Sequence, residues 1–325
     1  IIAQFTKAIT TIDLKGKEVV LETLKASIFS EKNTFSEKIK EHKRTSFPHC
    51  ESKEFSKNGL SKKGIQTYIC KASMCAKFFS DSSGQSIHWI HRKNDWYHFI
   101  DLMFDGEYRS IRKMAEVMNM STLTVFDWRH KILVGLDLAI IEGFNGIVEI
   151  DDLLFIFSEK GRRGLDKTKK RGGKSSKRGD SSESVKVLAT SDRVNTMKFD
   201  FVRIGRLKAK DIENCLGDLL DNDLNILTSD KHPSIKSYAK KKGVKHESFL
   251  AKNHSRGVYH VNTVNQKARE LKNLMNDTLK GVSTKYLQNY LIWFKMIQLK
   301  SIIELDMFNS VFMKTNAWYD FHNRE

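Results

Sequence analysis

The sequence predicts an α/β protein: a mixed-sheet core preceded by a small cysteine-bearing module and a helical domain. Three observations predict it. An apolar strand pattern at about 147–157 opens a series of strands and helices whose order suits a mixed sheet flanked by helices. Three of the four cysteines, Cys50, Cys70 and Cys75, gather among glycines, paired lysines and aromatic residues. Between these regions, two amphipathic helical periods meet at a short break within residues 110–133.

Bulk composition bounds the function. The 325 residues suffice for two or three domains, and 40% hydrophobic content supplies their cores. A net charge of +17 and an isoelectric point near 9.6 call for a polyanionic partner, most commonly nucleic acid. No apolar run approaches the ~20 residues of a membrane-spanning helix. The opening Ile1-Ile2-Ala3-Gln4-Phe5 lacks the basic and apolar regions of a signal peptide, so a soluble, cytoplasmic and nucleoid-associated protein is expected. Four cysteines are too few for a disulfide scaffold, and in a reducing compartment the cluster points to metal before disulfide.

Residues 1–45 read as an N-terminal segment of short amphipathic helices. The module at 46–87 has the texture of a zinc ribbon, in which each Cys-x2-Cys knuckle grips Zn2+ from a tight turn. Here Phe47-Pro48-His49-Cys50 stands where the first knuckle belongs, with Phe47 in the first ligand position. The second, Cys70 to Cys75, is two residues longer than usual. Cys50, Cys70 and Cys75, with His49 as the fourth ligand, are the candidate zinc set. The alternative is a degenerate ribbon without metal, held by packing of Phe47, Phe55, Tyr68 and Phe78.

Residues 88–140 predict a helix-turn-helix. Ile111, Met114, Ala115 and Val117 supply an apolar face, and Val125 with Ile132 anchors the second helix. Ser110 and Ser121 are placed to cap the two helices, and Asn119 occupies the turn, where Asn tolerates a left-handed backbone. A second helix lying in a DNA major groove would present Thr122, Thr124, Trp128 and Arg129. An ordinary helical hairpin is the other reading, and the basic charge favours DNA.

The core is expected over 146–295, with a tail at 296–325. Its strand at about 147–157 is apolar almost throughout and therefore central. The segment 159–184 carries ten Lys or Arg between Lys160 and Arg178 and almost no apolar residue, so it reads as a loop. It is either a solvated linker or, as its charge favours, a phosphate-contacting arm that includes Lys169, Lys170 and Arg171. Strands Val185–Thr190 and Thr196–Ile204, helix Lys208–Leu220 and strand Leu224–Thr228 follow. Then come helix Ser234–Lys241, strand Lys245–Phe249 and a long helix from about Asn262. That order is the order of an RNase H-like fold.

Within this frame the acids are informative. Asp151 lies in an apolar strand, where a carboxylate is costly unless compensated, and a divalent cation compensates it naturally. Asp230 falls at the C-terminal end of its strand, where open α/β sheets place their sites. Asn265 and Lys272, seven residues apart, return to within ~20° of one another on the last helix. An Asn oxygen can ligate Mg2+, and a Lys can hold a phosphate as a point charge. Phosphoryl-transfer sites of this type hold two Mg2+ (or Mn2+) ions between carboxylates, one at the attacking oxygen and one at the leaving oxygen.

The chain resembles bacterial insertion-sequence transposases of the ISXO2-like group. The matching stretches are Phe47-Pro-His-Cys50, Tyr68-Ile-Cys70, Gly146-Ile-Val-Glu-Ile-Asp151-Asp152, Lys170-Arg-Gly-Gly173, Ser229-Asp230, His260-Val-Asn-Thr-Val-Asn265, Leu271-Lys272 and the run Gly281 to Phe294. The resemblance implies that Asp151, Asp230 and Asn265 ligate the catalytic metal, and that Lys272 is the associated basic residue. Asp152 stands where the family often has Glu and is read as a neighbour. It also implies transposition between terminal inverted repeats, with double-stranded DNA at element ends and target as partner, and a homodimer or larger assembly on DNA. A catalytically silent DNA-binding protein derived from a transposase is the alternative. An RNase H-like nuclease is less apt, since it needs no helix-turn-helix.

Overall fold

The structure, a computed structural model, describes residues 46–47, 50–62, 66–80, 83, 90–136, 143–162, 164–165, 181, 183–194, 196–250 and 255–298. The expected N-terminal helices, nearly all of the tail and most of the basic loop, including Lys169, Lys170 and Arg171, lie outside the described residues, as does His49. The chain divides into two compact units, Ile1–Asp101 and Leu102–Glu325.

In the first unit, β1 (Phe55–Leu60), β2 (Gln66–Cys70) and β3 (Phe78–Ser80) form an antiparallel sheet in sequence order. Phe47, Cys70 and Phe79 are its buried centre. Phe79 stacks on Tyr68 at 5.0 Å between centroids and meets Phe47 edge-on at 4.9 Å. The expected Phe78 is instead 62% exposed. Neighbouring strand residues point to opposite faces, so Phe79 and Phe78 cannot both turn inward. Helix α1 spans Lys93–Phe104.

The second unit begins with α2 (Ile111–Met118) and α3 (Thr122–Leu136). Both expected caps are present: Ser110 Oγ accepts from Lys113 N at 3.2 Å, and Ser121 Oγ accepts from Thr124 N at 3.1 Å. Asn119 takes the left-handed conformation at φ 49° and its N–H closes on Ala115 and Glu116 carbonyls. Met114, Ala115 and Met118 form the buried stripe, whereas Val117 is 47% exposed. At ~100° per residue Val117 sits ~200° from Ala115, on the opposite face of the helix.

The core sheet comprises β4 (Ile147–Ile156), β5 (Ser184–Asp192), β6 (Met197–Ile204), β7 (Ile226–Asp230) and β8 (Lys245–Phe249), in the order β6-β5-β4-β7-β8. The first three strands form an antiparallel meander; β7 is parallel to β4 and β8 to β7. Helices α4 (Ala209–Leu216) and α5 (Pro233–Lys242) supply the crossovers. This strand order and these directions make the core RNase H-like. Val148, Ile150, Leu188 and Leu227 pack against Ile212 and Leu216 of α4 and Ile235, Tyr238 and Ala239 of α5. On the opposite face lie α6 (Asn262–Asn273) and α7 (Leu287–Gln298), the latter placing Phe294 against Phe199 of β6 at 5.3 Å. A short ribbon, β9 (Ser255–Arg256) with β10 (Tyr259–His260), precedes α6. Among the described residues no helix is long and apolar enough to cross a membrane.

One contact fixes α6 on the sheet. Glu149 of β4 is fully buried, and its carboxylate accepts from Thr263 N at 2.9 Å, Thr263 Oγ1 at 3.1 Å and Val264 N at 3.1 Å. The N-cap residue of α6, Val261, provides no side-chain cap, so a distant strand carboxylate satisfies the free N–H groups and meets the positive helix end. His260 Nδ1 at 3.1 Å and Arg193 Nε at 3.5 Å complete its surroundings. Replacing Glu149 with Ala should cost about 3 kcal/mol or more in chemical denaturation, the usual result of breaking a buried charged network. A loss below about 1 kcal/mol would show that α6 is held by apolar packing alone.

Candidate metal and nucleic-acid site

The expected acidic site assembles on the face of the sheet that α6 covers. The strand register pairs Ile147 with Ile226 and Glu149 with Thr228, a constant offset of 79 residues. Continued two residues beyond the paired stretch, the same offset sets Asp151 level with Asp230 and on one face, and the negative charge of Asp230 reaches Asp151. Asp230 closes β7 rather than following it. Strand alternation puts Glu149 and Asp151 together and turns Asp152 to the other face. There Lys186 pairs with Asp152, and His232 Nε2 lies 3.9 Å from it. The reading of Asp152 as a neighbour agrees with that direction.

Electrostatics distinguishes these carboxylates from ordinary surface acids. Burial pushes Asp151 from 3.8 up to about 7, helped by the negative charges of Asp230 and Asp152. The backbone N–H of Asp152, which donates to Asp151 Oδ1 at 2.9 Å, and the charge of Lys272 pull the other way. Asp230 is also raised, by burial first and then by Asp152, against the opposing influence of His232. Its Oδ1 is buried without a hydrogen-bond partner. Two desolvated like charges and one orphaned oxygen fit a divalent cation, which would lower both pKa values and occupy the free lone pair.

Asn265 stands in the first turn of α6, immediately after the Val264 N–H that Glu149 binds, and is exposed. Lys272 lies two helical turns on, also exposed, and its charge reaches Asp151. Asp151, Asp230 and Lys272 are therefore brought together, and Asn265 lies on the helix that Glu149 docks beside them. Sequence reasoning gave no role to Glu149, Arg193 or His232. For Glu149 the signal was present, since a second acid in the same apolar strand is as costly as the first.

The DNA-reading set needs correction. Thr122 is exposed and Thr124 half-buried, but Trp128 is 6% exposed and Arg129 is 0% exposed. The Arg129 guanidinium lies over the Trp293 ring of α7 at 4.9 Å, and Trp293 Nε1 donates to Met103 O at 2.8 Å. Helix α7 takes the face of α3 that was assigned to DNA, leaving the first turn of α3 accessible.

In the cysteine module, the Sγ atoms of Cys50, Cys70 and Cys75 lie within 4.8 Å of one another, with Cys50 and Cys70 3.6 Å apart. Tetrahedral thiolates ~2.3 Å from Zn2+ stand ~3.8 Å apart, so three thiols are gathered at a suitable spacing. Phe47 turns into the apolar centre and cannot serve as a ligand. Among the described residues no other group of three or more His, Cys, Asp or Glu ligand atoms is gathered so closely.

No family model matches the chain, and no curated protein matches it. Solved structures that it is similar to are transposase complexes. A pre-cleavage Mos1 transpososome shares 11% identity over 70% of this chain and 77% of that one, at a TM-score of 0.29. A Mos1 transposase paired-end complex with left transposon end shares 10% over 67% and 74%, at 0.30, and the Mos1 Strand Transfer Complex 9% over 62% and 74%, at 0.25. At such values the likeness carries no weight; the fold rests on strand order and direction.

Two outcomes are expected. Because the folded-state value of Asp151 is raised, the stability it contributes is present below pH 3.8 and is lost as pH rises to about 7. In chelator, melting temperature should therefore fall more steeply over that window for the parent than for Asp151→Asn, and Mg2+ should raise it most above pH 7. Identical pH profiles would remove Asp151 from the cation site. Separately, elemental analysis should find one zinc per chain, lost in Cys50→Ser and Cys75→Ser; metal-free parent protein with an unchanged melting temperature would leave the module to aromatic packing.

Proposed function

We propose that the protein is a DNA transposase of insertion-sequence type, related to the ISXO2-like group. It binds terminal inverted repeats and cleaves and joins DNA strands with Mg2+ or Mn2+. The observation that carries the reading is the closeness of Asp151 and Asp230, whose charges act on one another from adjacent parallel strands, beside a helix bearing Asn265 and Lys272. Asp151, Asp230 and the Asn265 side-chain oxygen would hold the metal. Bound there, it supplies activation of an attacking oxygen and stabilisation of the leaving one.

The chain's own residues do the rest. Glu149 and the α6 N-terminus hold Asn265 and Lys272 in place, so little reorganisation precedes reaction. Lys272 holds a phosphate oxygen of the bound strand, balancing charge that the carboxylates would otherwise repel. Thr122 and Thr124, in the first turn of α3, contact the duplex, as does the basic segment with Lys169, Lys170 and Arg171. Pairing two DNA ends requires a dimer or larger assembly. A silent DNA-binding descendant is the second reading, favoured by the eroded ribbon, in which Phe47 stands in a ligand position and packs in the apolar centre.

Cleavage of a terminal-repeat oligonucleotide in Mg2+ should fall at least a hundredfold in Asp151→Ala and Asp230→Ala while binding of the duplex persists. Mutants that cut as well as the parent would overturn the site assignment. Binding without cutting by the parent would select the silent alternative.

A further inference from the structure

A cleft of about 1290 Å³ opens within the Leu102–Glu325 unit, and none of Asp151, Asp230, Asn265 or Lys272 lines it. Its walls are the first turns of α2 and α3, the segment 157–162 after β4, and the segment 279–286 ahead of α7. The two core segments are stitched together. Lys160 Nζ donates to the carbonyls of Leu279, Lys280 and Gly281 at 3.3, 3.1 and 2.5 Å. Thr284 N donates to Ser158 O at 2.8 Å, and Ser158 N to Thr284 Oγ1 at 2.9 Å. The wall is therefore preformed.

Three features define the chemistry it accepts. Its lining carries exposed cations at Arg112, Arg162, Lys280 and Lys285, against a single acid, Glu159, which already pairs with Arg162. Also in its lining, Arg129 is wholly buried over the Trp293 ring and beside the Tyr290 hydroxyl, with no carboxylate bound to it among the described residues. A buried cation without a carboxylate is costly, and an anion entering the cleft offsets that cost. Lastly, half-buried rings of Phe126, Phe157, Phe201 and Tyr286 lie among the cations.

The volume exceeds the ~300–1,000 Å³ of small-molecule pockets, so a free phosphate or a metabolite would leave most of it unfilled. Recessed rings gain nothing from a duplex, whose bases are already stacked inside; an unpaired strand offers base faces to rings and phosphates to cations. We propose that this cleft binds an unpaired stretch of nucleic-acid strand, with bases against Phe126, Phe157 and Tyr286 and phosphates on Arg112, Lys280 and Lys285. The identity of the polymer as DNA rests on the proposed function; the preference for an unpaired strand rests on the cleft alone.

The test measures fluorescence anisotropy of labelled 15-nucleotide oligo(dT), oligo(rU) and a mixed-sequence DNA duplex with the full chain, in EDTA so that no cleavage occurs. Phe157→Ala should weaken oligo(dT) about tenfold, the effect of one lost stacked base, and leave the duplex within twofold. Phe157→Trp should restore the parent's affinity, which separates stacking from folding defects. Arg112→Ala and Lys280→Ala, both exposed, should each weaken oligo(dT) severalfold. Equal binding of oligo(dT) and oligo(rU) fits a cleft that reads bases and phosphates; binding of oligo(rU) alone would overturn the assignment to DNA. Unchanged oligo(dT) affinity in all the variants, or equal losses for oligo(dT) and duplex, would overturn the cleft itself. Asp151→Ala should bind oligo(dT) like the parent, so failure of cleavage and failure of this cleft are read independently.

Discussion

A single buried carboxylate organises the core. Glu149 sits in the central strand with no solvent contact, and its oxygens take the free N–H groups that open α6. A carboxylate in such a place is tolerated because the N–H groups of the helix end bind its oxygens and Arg193 lies beside it. The dependence runs outward from there. Asn265 follows the anchored turn directly, and Lys272 lies seven residues on, so their positions relative to Asp151 are inherited from Glu149.

The same strand separates two kinds of acid by alternation alone. Glu149 and Asp151 face α6, whereas Asp152 turns to the other side and is paired with Lys186. Asp151 and Asp230 are left as the pair with unmet charge, one pushed to about 7 and the other with a buried, unpartnered oxygen. Pairing them with lysines as Asp152 is paired would leave no place for a cation. Strain of this electrostatic kind is what a metal-dependent site stores in its absence.

The helix-turn-helix is shared between two duties. Its caps and left-handed turn are local devices and form as local chemistry dictates. The second helix, however, gives Arg129 and His130 to α7, where aromatic rings receive them, and buries Trp128. Its first turn lines the aromatic and basic cleft instead. Packing the helix this way leaves Thr122 and the turn before it as the surface open to a ligand.

Sequence by itself determined the order of strands and helices, the caps of α2 and α3, the left-handed Asn119, and the positions of Asp151 and Asp230 near the middle and end of their strands. These follow from period, turn chemistry and the cost of a charge in an apolar run, all of which act within a few residues. Tertiary structure alone decided that Glu149 caps a helix more than a hundred residues away, and that Phe79 rather than Phe78 fills the small module. It also decided that Trp128 and Arg129 are core. Periodicity tells which face of an element is apolar, but a mixed face such as that of α3 is assigned by whatever packs against it. For Arg129 that partner is Trp293, which lies far along the chain and on another helix.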